Sequence, residues 1–106
     1  MLVALALAAT LSAPCRTVHG RAFQANGAPA VRIAVIGTRR ILGVVQPNES
    51  FDDLPAPLRE IWGRTPGEPG PPVLGDFRVC PLAPSRPGRL QRVRLMSAAH
   101  LIAQAP

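Results

Sequence analysis

The sequence predicts an all-β domain with one short helix, folded as a small five-stranded OB-like barrel. Two observations lead to this prediction. Turn signals rich in Gly, Pro and Asn separate five segments that mix apolar and polar residues, as half-buried strands do. One helical pattern falls between the third and fourth segments, which is the chain order of an OB-type barrel. A small β-sandwich is the alternative architecture for the same strands.

The first two strands are predicted from a hairpin signal. Asn26-Gly27 tolerates the positive φ angles of a tight turn and lies between two strand-like segments. We therefore expect strands at about 16–25 and about 30–36. The second segment is rich in Val and Ile, which favour strands, and it places Arg32 on the polar face.

The stretch RIAVIG, Arg32 to Gly37, could also begin a dinucleotide-binding fold, but the residues after it argue against that fold. The motif needs G-x-G-x-x-G, so that the backbone can approach a pyrophosphate at a helix N-terminus. Here Gly37 is followed by Thr-Arg-Arg-Ile-Leu, and the next glycine is Gly43. We predict instead a tight turn after Gly37, a third strand at about 41–46 and no cofactor.

One short helix is predicted at about 55–62. Asp52 or Asp53 can cap its N-terminus, and prolines suit its first turn. Apolar residues recur at helical spacing, so that one face can pack on the core. They are Leu58, Ile61 and Trp62.

The last two strands are predicted from alternation, at about 73–80 and about 90–101. In the fourth strand Phe77 faces the core, whereas Asp76 and Arg78 face outwards. In the fifth, apolar residues alternate with arginines in the same way. The apolar pair is Val93 and Leu95, and the arginine pair is Arg92 and Arg94.

Residues 1–14 are predicted to be a signal peptide and residues 15–106 a single domain. The apolar run from Leu2 to Ala9 has the length of a signal-peptide h-region and is too short to span a bilayer. We therefore expect an exported protein, periplasmic or secreted, with no transmembrane helix in the mature chain. Two alternatives are a buried element of the domain and a lipidated cysteine after Pro14.

The two cysteines, Cys15 and Cys80, are predicted to form a disulfide bond. An even count favours pairing in an oxidising compartment. In the predicted barrel the first strand lies antiparallel to the fourth, and the cysteines occupy neighbouring ends of these strands. Neither cysteine has metal-ligand spacing, so no metal site is expected.

Several segments, GAPAVRIAVIGTRRILGV, GDFRVCPL, RPG and SAAHLI, resemble a group of small exported bacterial proteins of unassigned function. The resemblance implies export and one β domain, and it supplies no catalytic residue. Arg94 stands where those proteins often carry a further cysteine, so a different partner for Cys80 stays open. The first hairpin also resembles that of transthyretin-like domains, which would imply the sandwich.

The charge pattern predicts a basic binding face. The net charge is +6, every cation is arginine, and all six carboxylates lie within residues 49–76. We expect such a face to bind an acidic envelope polymer, an anionic lipid surface or an acidic protein. Nucleic acid is disfavoured, because the few aromatic residues are needed in the core. Solvated arginines that cover the sheet are the alternative. The arginines assigned to binding are Arg32, Arg39, Arg40, Arg78, Arg92 and Arg94.

No catalytic site is predicted. The polar candidates are His19, Asp76, Ser97 and His100, and nothing in the sequence places a nucleophile, a base and an orienting group together. The predicted function is therefore an exported binding or structural module. A small exported enzyme with an unrecognised site is the alternative.

Overall fold

The computed structural model describes residues 14–48, 50–63 and 69–104. The predicted signal peptide, apart from Pro14, lies outside the described residues. Five strands, one 3₁₀ turn and one α-helix follow along the chain. They are β1 (Arg16–Gln24), β2 (Val31–Val35), β3 (Ile41–Val44), the 3₁₀ turn (Phe51–Asp53), α1 (Ala56–Trp62), β4 (Val73–Pro81) and β5 (Gln91–Ala103).

The five strands form one closed barrel in the order β1-β2-β3-β5-β4. Neighbouring strands are antiparallel except for β3 and β5, which run parallel. The predicted all-β barrel with one short helix is confirmed, and its strand order is consistent with the OB type. The sandwich alternative is wrong, because the strands close into a single sheet instead of packing as two.

Alternating side chains fill the barrel. Val18, Gly20 and Ala22 of β1 are buried, whereas the residues between them are exposed. A Cβ atom at Gly20 would lie 2.6 Å from Cγ2 of Ile33, so this position has no room for a side chain. The predicted core positions Phe77, Val79, Val93 and Leu95 are buried. The largest fully buried side chains are Phe77, Ile33, Leu42, Leu58, Val73, Val79 and Val93.

Strand β3 ends at Val44, two residues before its predicted end. The side chain of Gln46 replaces the missing backbone pairing. Its Oε1 accepts from the Leu95 N–H at 3.0 Å, and its Nε2 donates to the Leu95 carbonyl at 2.9 Å. Nε2 also donates to the carbonyl of Asp53 in the 3₁₀ turn. A glutamine therefore joins β5 to the start of the helical segment.

The helix begins differently from the prediction. Asp52 and Asp53 lie in the 3₁₀ turn, whose cap is Ser50, and the N-cap of α1 is Pro55 without a side-chain cap. Proline suits a helix start, because its missing N–H would have no partner there. The predicted N-cap at Asp52 or Asp53 is therefore wrong. The predicted apolar face is correct, since Leu58 and Trp62 are buried and Ile61 packs against the core.

The barrel has two ends that are used below. The helix end holds the 3₁₀ turn, α1, the β1–β2 turn and the start of β4. The loop end holds the β2–β3 turn, the β4–β5 loop and the start of β1. These assignments follow from the strand directions, since Ala22 pairs with Val73 at one end and Arg16 pairs with Val79 at the other.

A disulfide bond joins Cys15 to Cys80 at the loop end, with the two Cα atoms 4.1 Å apart. The bond was predicted, and the structure confirms it. It closes a long loop, since 65 residues separate the cysteines in sequence. On the chain-entropy model such a loop contributes about 4 kcal/mol to the free energy of unfolding. Among the described residues, no helix has the length and apolar character needed to cross a membrane.

Candidate functional site

The β2–β3 turn holds two of the predicted binding residues, Arg39 and Arg40. Gly37 has a φ of 80°, a left-handed conformation that glycine adopts without strain. Thr38 fixes the turn, since its hydroxyl donates to the Val35 carbonyl at 2.9 Å and accepts from the Arg40 N–H at 3.0 Å. Both arginines are exposed, and the Arg40 carbonyl accepts from the Val35 N–H at 3.0 Å.

The β4–β5 loop brings two further arginines, Arg86 and Arg89, to the same end of the barrel. They flank Pro87-Gly88, and the Arg89 N–H donates to the Arg86 carbonyl at 3.2 Å. Proline followed by a glycine with a φ of 72° is the signature of a type II turn. The turn therefore holds the two arginines close together at its ends.

The two turns enclose a cleft of about 630 Å³. They lie side by side because β3 and β5 are parallel neighbours, with Leu42 paired to Gln91. No acidic residue is among the described residues that line the cleft, so its four guanidinium groups give it a strongly positive potential. The lining residues are Arg39, Arg40, Ile41, Ser85, Arg86, Pro87, Gly88, Arg89, Leu90 and Gln91.

Gln91 holds the base of this cleft. Its Oε1 accepts from Nη2 of Arg40 at 2.6 Å and from Nη2 of Arg16 at 3.5 Å. Its Nε2 donates to the Ala83 carbonyl at 3.0 Å. The amide therefore links the two turns and positions Arg40. Within the described part of the chain, no arginine lies within ion-pair distance of a carboxylate.

The other four predicted binding residues lie outside the cleft lining. Arg32 folds onto the β1–β2 turn, where its Nε donates to the Pro29 carbonyl at 3.1 Å. Arg78 and Arg92 are exposed on the outside of β4 and β5, and Arg94 is half-buried opposite Cys80. Of the predicted set, the structure thus brings only Arg39 and Arg40 into this cleft.

A second polar cluster lies on the outside of β1, β4 and β5. Nδ1 of His19 is 3.0 Å from Oδ1 of Asp76, and Nδ1 of His100 is 2.9 Å from Oδ2 of the same carboxylate. The hydrogen bond to His19, followed by that to His100, lowers the pKa of the Asp76 carboxyl from its ordinary value. None of the three residues lines the arginine cleft.

The described residues contain no group of three His, Cys, Asp or Glu side chains arranged to hold a metal ion. A smaller cleft of about 380 Å³ lies at the helix end, between the β1–β2 turn and the 3₁₀ turn. No charged residue is among its described lining residues, and the amide of its residue Gln46 is already engaged by backbone groups. The arginine cleft is therefore the stronger candidate for a polar ligand.

The chain matches no protein-family model, no curated protein and no solved structure. Its function is therefore argued from its own residues. The resemblance to small exported bacterial proteins stays an expectation.

The arginines of the β4–β5 loop and the contact between His19 and Asp76 were missed at the sequence level, although signals for both exist. Proline and glycine between Arg86 and Arg89 predict a type II turn with an arginine at each end. The predicted cysteine pair sets the register of β1 against β4. His19 lies four residues after Cys15, and Asp76 lies four residues before Cys80. The register therefore places His19 opposite Asp76.

Proposed function

We propose that this protein is an exported binding module that holds an acidic polymer in the arginine cleft. The observation that carries the proposal is the convergence of Arg39, Arg40, Arg86 and Arg89 on one cleft. Arginine suits this role because its planar fork can donate two parallel hydrogen bonds to a carboxylate, sulfate or phosphate group. Both turns are fixed by their own hydrogen bonds, so binding of a ligand costs little backbone entropy.

A polymer chain fits this cleft better than a membrane or a folded protein. The cleft is concave, and its volume lies in the range of pockets that enclose small ligands. A flat bilayer could not enter this concave cleft. A flexible chain with repeated anionic groups can enter the cleft and reach arginines on both sides.

Export is part of the proposal, and two observations support it. The Cys15–Cys80 disulfide is typical of proteins that fold in an oxidising compartment. The apolar N-terminal run resembles a signal-peptide core. The intact mass of the protein recovered from producing cells, with and without reductant, tests both. A reduced, uncleaved chain in the cytoplasm would contradict export.

The binding test compares two double variants that lose the same charge. R86Q/R89Q removes two arginines from the cleft, whereas R92Q/R94Q removes the exposed Arg92 and the half-buried Arg94 from β5, outside the cleft lining. The probes are fluorescein-labelled dextran sulfate and labelled polygalacturonate. We expect R86Q/R89Q to weaken binding at least tenfold, since two charge-assisted hydrogen bonds of about 1 kcal/mol or more are lost. R92Q/R94Q should change binding by less than about threefold.

Three outcomes would overturn the proposal. Equal losses in the two double variants would show that only net charge matters. Tighter binding to vesicles of phosphatidylglycerol, or to a folded acidic protein, than to either polymer would assign the surface to another partner. Release of short fragments from a polymer would support a small enzyme instead. Binding should also weaken between low and physiological salt, where the screening length falls to about 8 Å.

A further inference from the structure

His19, Asp76 and His100 form a hydrogen-bonded row across three neighbouring strands. The side chain of Asp76 is 38% exposed, and those of His19 and His100 are 62% and 82% exposed. The row is therefore open to solvent and to a ligand. It is not used by the arginine cleft.

The barrel holds both imidazole rings in place. His19 pairs directly with Asp76 in the β1–β4 ladder. His100 reaches the same carboxylate through an irregularity in the β4–β5 ladder, between Leu74 and Asp76. There His100 has a φ of 55°, in the left-handed region that few residues other than Gly, Asn, Asp and His enter readily.

The protonation chemistry follows from these hydrogen bonds. An ionised carboxylate only accepts hydrogen bonds, so each Nδ1 carries a hydrogen that it donates to Asp76. The lowered pKa of Asp76 keeps the carboxylate ionised in mild acid. Each neutral imidazole therefore has its free lone pair on Nε2. A proton taken up by either ring is placed on Nε2, where it becomes a new donor.

The charged groups around the row are arginines. Arg21 lies two residues along β1 from His19, and Arg78 lies two residues along β4 from Asp76. On β5 the residues beside His100 from Ser97 to Ala103 carry no charge, and on β2 the backbone N–H of Ile36 binds the His19 carbonyl. With neutral imidazoles this face has one net positive charge. With both imidazoles protonated it has three.

We propose that this histidine face, made of His19, Arg21, Asp76, Arg78 and His100, is a second binding site for an acidic polymer and binds it more tightly in mild acid. Histidine is the side chain that gains its charge between pH 5 and pH 8. Protonation both raises the charge of the face and supplies two Nε2–H donors to sulfate, phosphate or carboxylate oxygens. The ligand class rests on the proposed function, but the site does not share a residue with the cleft.

The test uses R86Q/R89Q as the background, so that binding in the cleft is already weakened. The probe is dextran sulfate with a label that does not titrate between pH 5.5 and pH 7.5, so that its charge stays constant. Affinity is measured at pH 7.5 and pH 5.5 at one ionic strength. We expect at least a threefold gain in affinity at the lower pH, since each new exposed ion pair contributes only modestly. Adding H19Q/H100N should abolish that gain. Asn at position 100 tolerates the left-handed backbone.

A matched control separates this site from a general effect of charge. Adding R92Q/R94Q to the same background should leave the gain at pH 5.5 intact. No gain at pH 5.5, or a gain that persists in H19Q/H100N, would overturn the proposal. If H19Q/H100N does not unfold cooperatively, H19Q alone takes its place and should lose part of the affinity gain at pH 5.5. If the cleft proposal is wrong, that result is seen separately, because R86Q/R89Q then leaves the binding affinity at pH 7.5 unchanged.

Discussion

The two ends of the barrel each bury one glutamine, and the partners of the two glutamines differ. Gln46, at the helix end, binds only backbone groups of Leu95 and Asp53. Gln91, at the loop end, binds the backbone of Ala83 and also two exposed or half-buried guanidinium groups. The same residue type therefore completes the sheet at one end and positions arginine side chains of the candidate cleft at the other.

The two ends of the barrel also differ in the residues that cover them. At the helix end Leu54, Leu58 and Trp62 are buried, and the indole Nε1 of Trp62 donates to the Pro71 carbonyl at 2.8 Å. At the loop end polar turns surround a cleft, and a disulfide bond joins the start of β1 to the end of β4. The apolar cover therefore lies at the helix end, and the four arginines of the cleft lie at the other.

The largest expected effect comes from removing the disulfide. C15S/C80S should lower the free energy of unfolding by about 4 kcal/mol, because the unfolded chain regains the entropy of a long loop. Denaturant titration of the oxidised protein and of the double variant measures the difference. Wild-type protein in reductant should match the variant. A loss below about 1 kcal/mol would show that the β1–β4 ladder, and not the bond, secures the loop end.

The glutamine pair tests the comparison directly. Gln46→Leu should cost about 2–3 kcal/mol, since it leaves buried backbone groups of Leu95 without partners. Gln91→Leu should cost about 1 kcal/mol or less, because Arg40 is exposed and can bind water instead. Denaturant titration gives both values. Equal costs would contradict the assignment of different roles to the two ends.

Polymer binding should respond in the opposite order. Gln91→Leu releases Arg40 from its anchor at the base of the cleft, so affinity for dextran sulfate should fall. Gln46→Leu should leave the affinity of the folded protein unchanged, because Gln46 does not line that cleft. In this pattern Gln46 mainly affects stability, and Gln91 mainly affects binding. The pattern distinguishes a loop end that binds a ligand from one that is only polar.

Much of the fold could be predicted from local patterns in the sequence. Alternation in β4 and β5 gave the buried face, and Asn26-Gly27 marked the first turn. The end of β3 could not be predicted in this way, because the side chain of Gln46 takes over a backbone role that depends on a residue far along the chain. The helix cap failed for a local reason, since Ser50 begins a separate 3₁₀ turn before α1.

The candidate site was less predictable than the fold. Alternation placed Arg92 and Arg94 outwards together and suggested a flat basic face. The cleft depends instead on the parallel pairing of β3 with β5, which brings together two turns that are distant in sequence. The histidine row needs a strand irregularity and a left-handed His100, neither of which has a periodic signal. The strand register set by the disulfide would have predicted the contact of Asp76 with His19 but not its contact with His100.

The smallest expected effect is the pH dependence that Asp76 gives to the stability of the fold. The pKa of Asp76 lies below its ordinary value of 3.8 in the folded protein, mainly because of the hydrogen bond to His19. Asp76 therefore contributes stability at pH values above its ordinary pKa, and this contribution is lost as the pH falls through the lowered folded value. Between pH 5 and pH 2.5 the wild-type protein should lose more stability than Asp76→Asn. H19Q/H100N should remove the same difference, because it removes the two donors that lower the pKa. Parallel stability curves for wild type and Asp76→Asn would show that the row is too exposed to couple to folding.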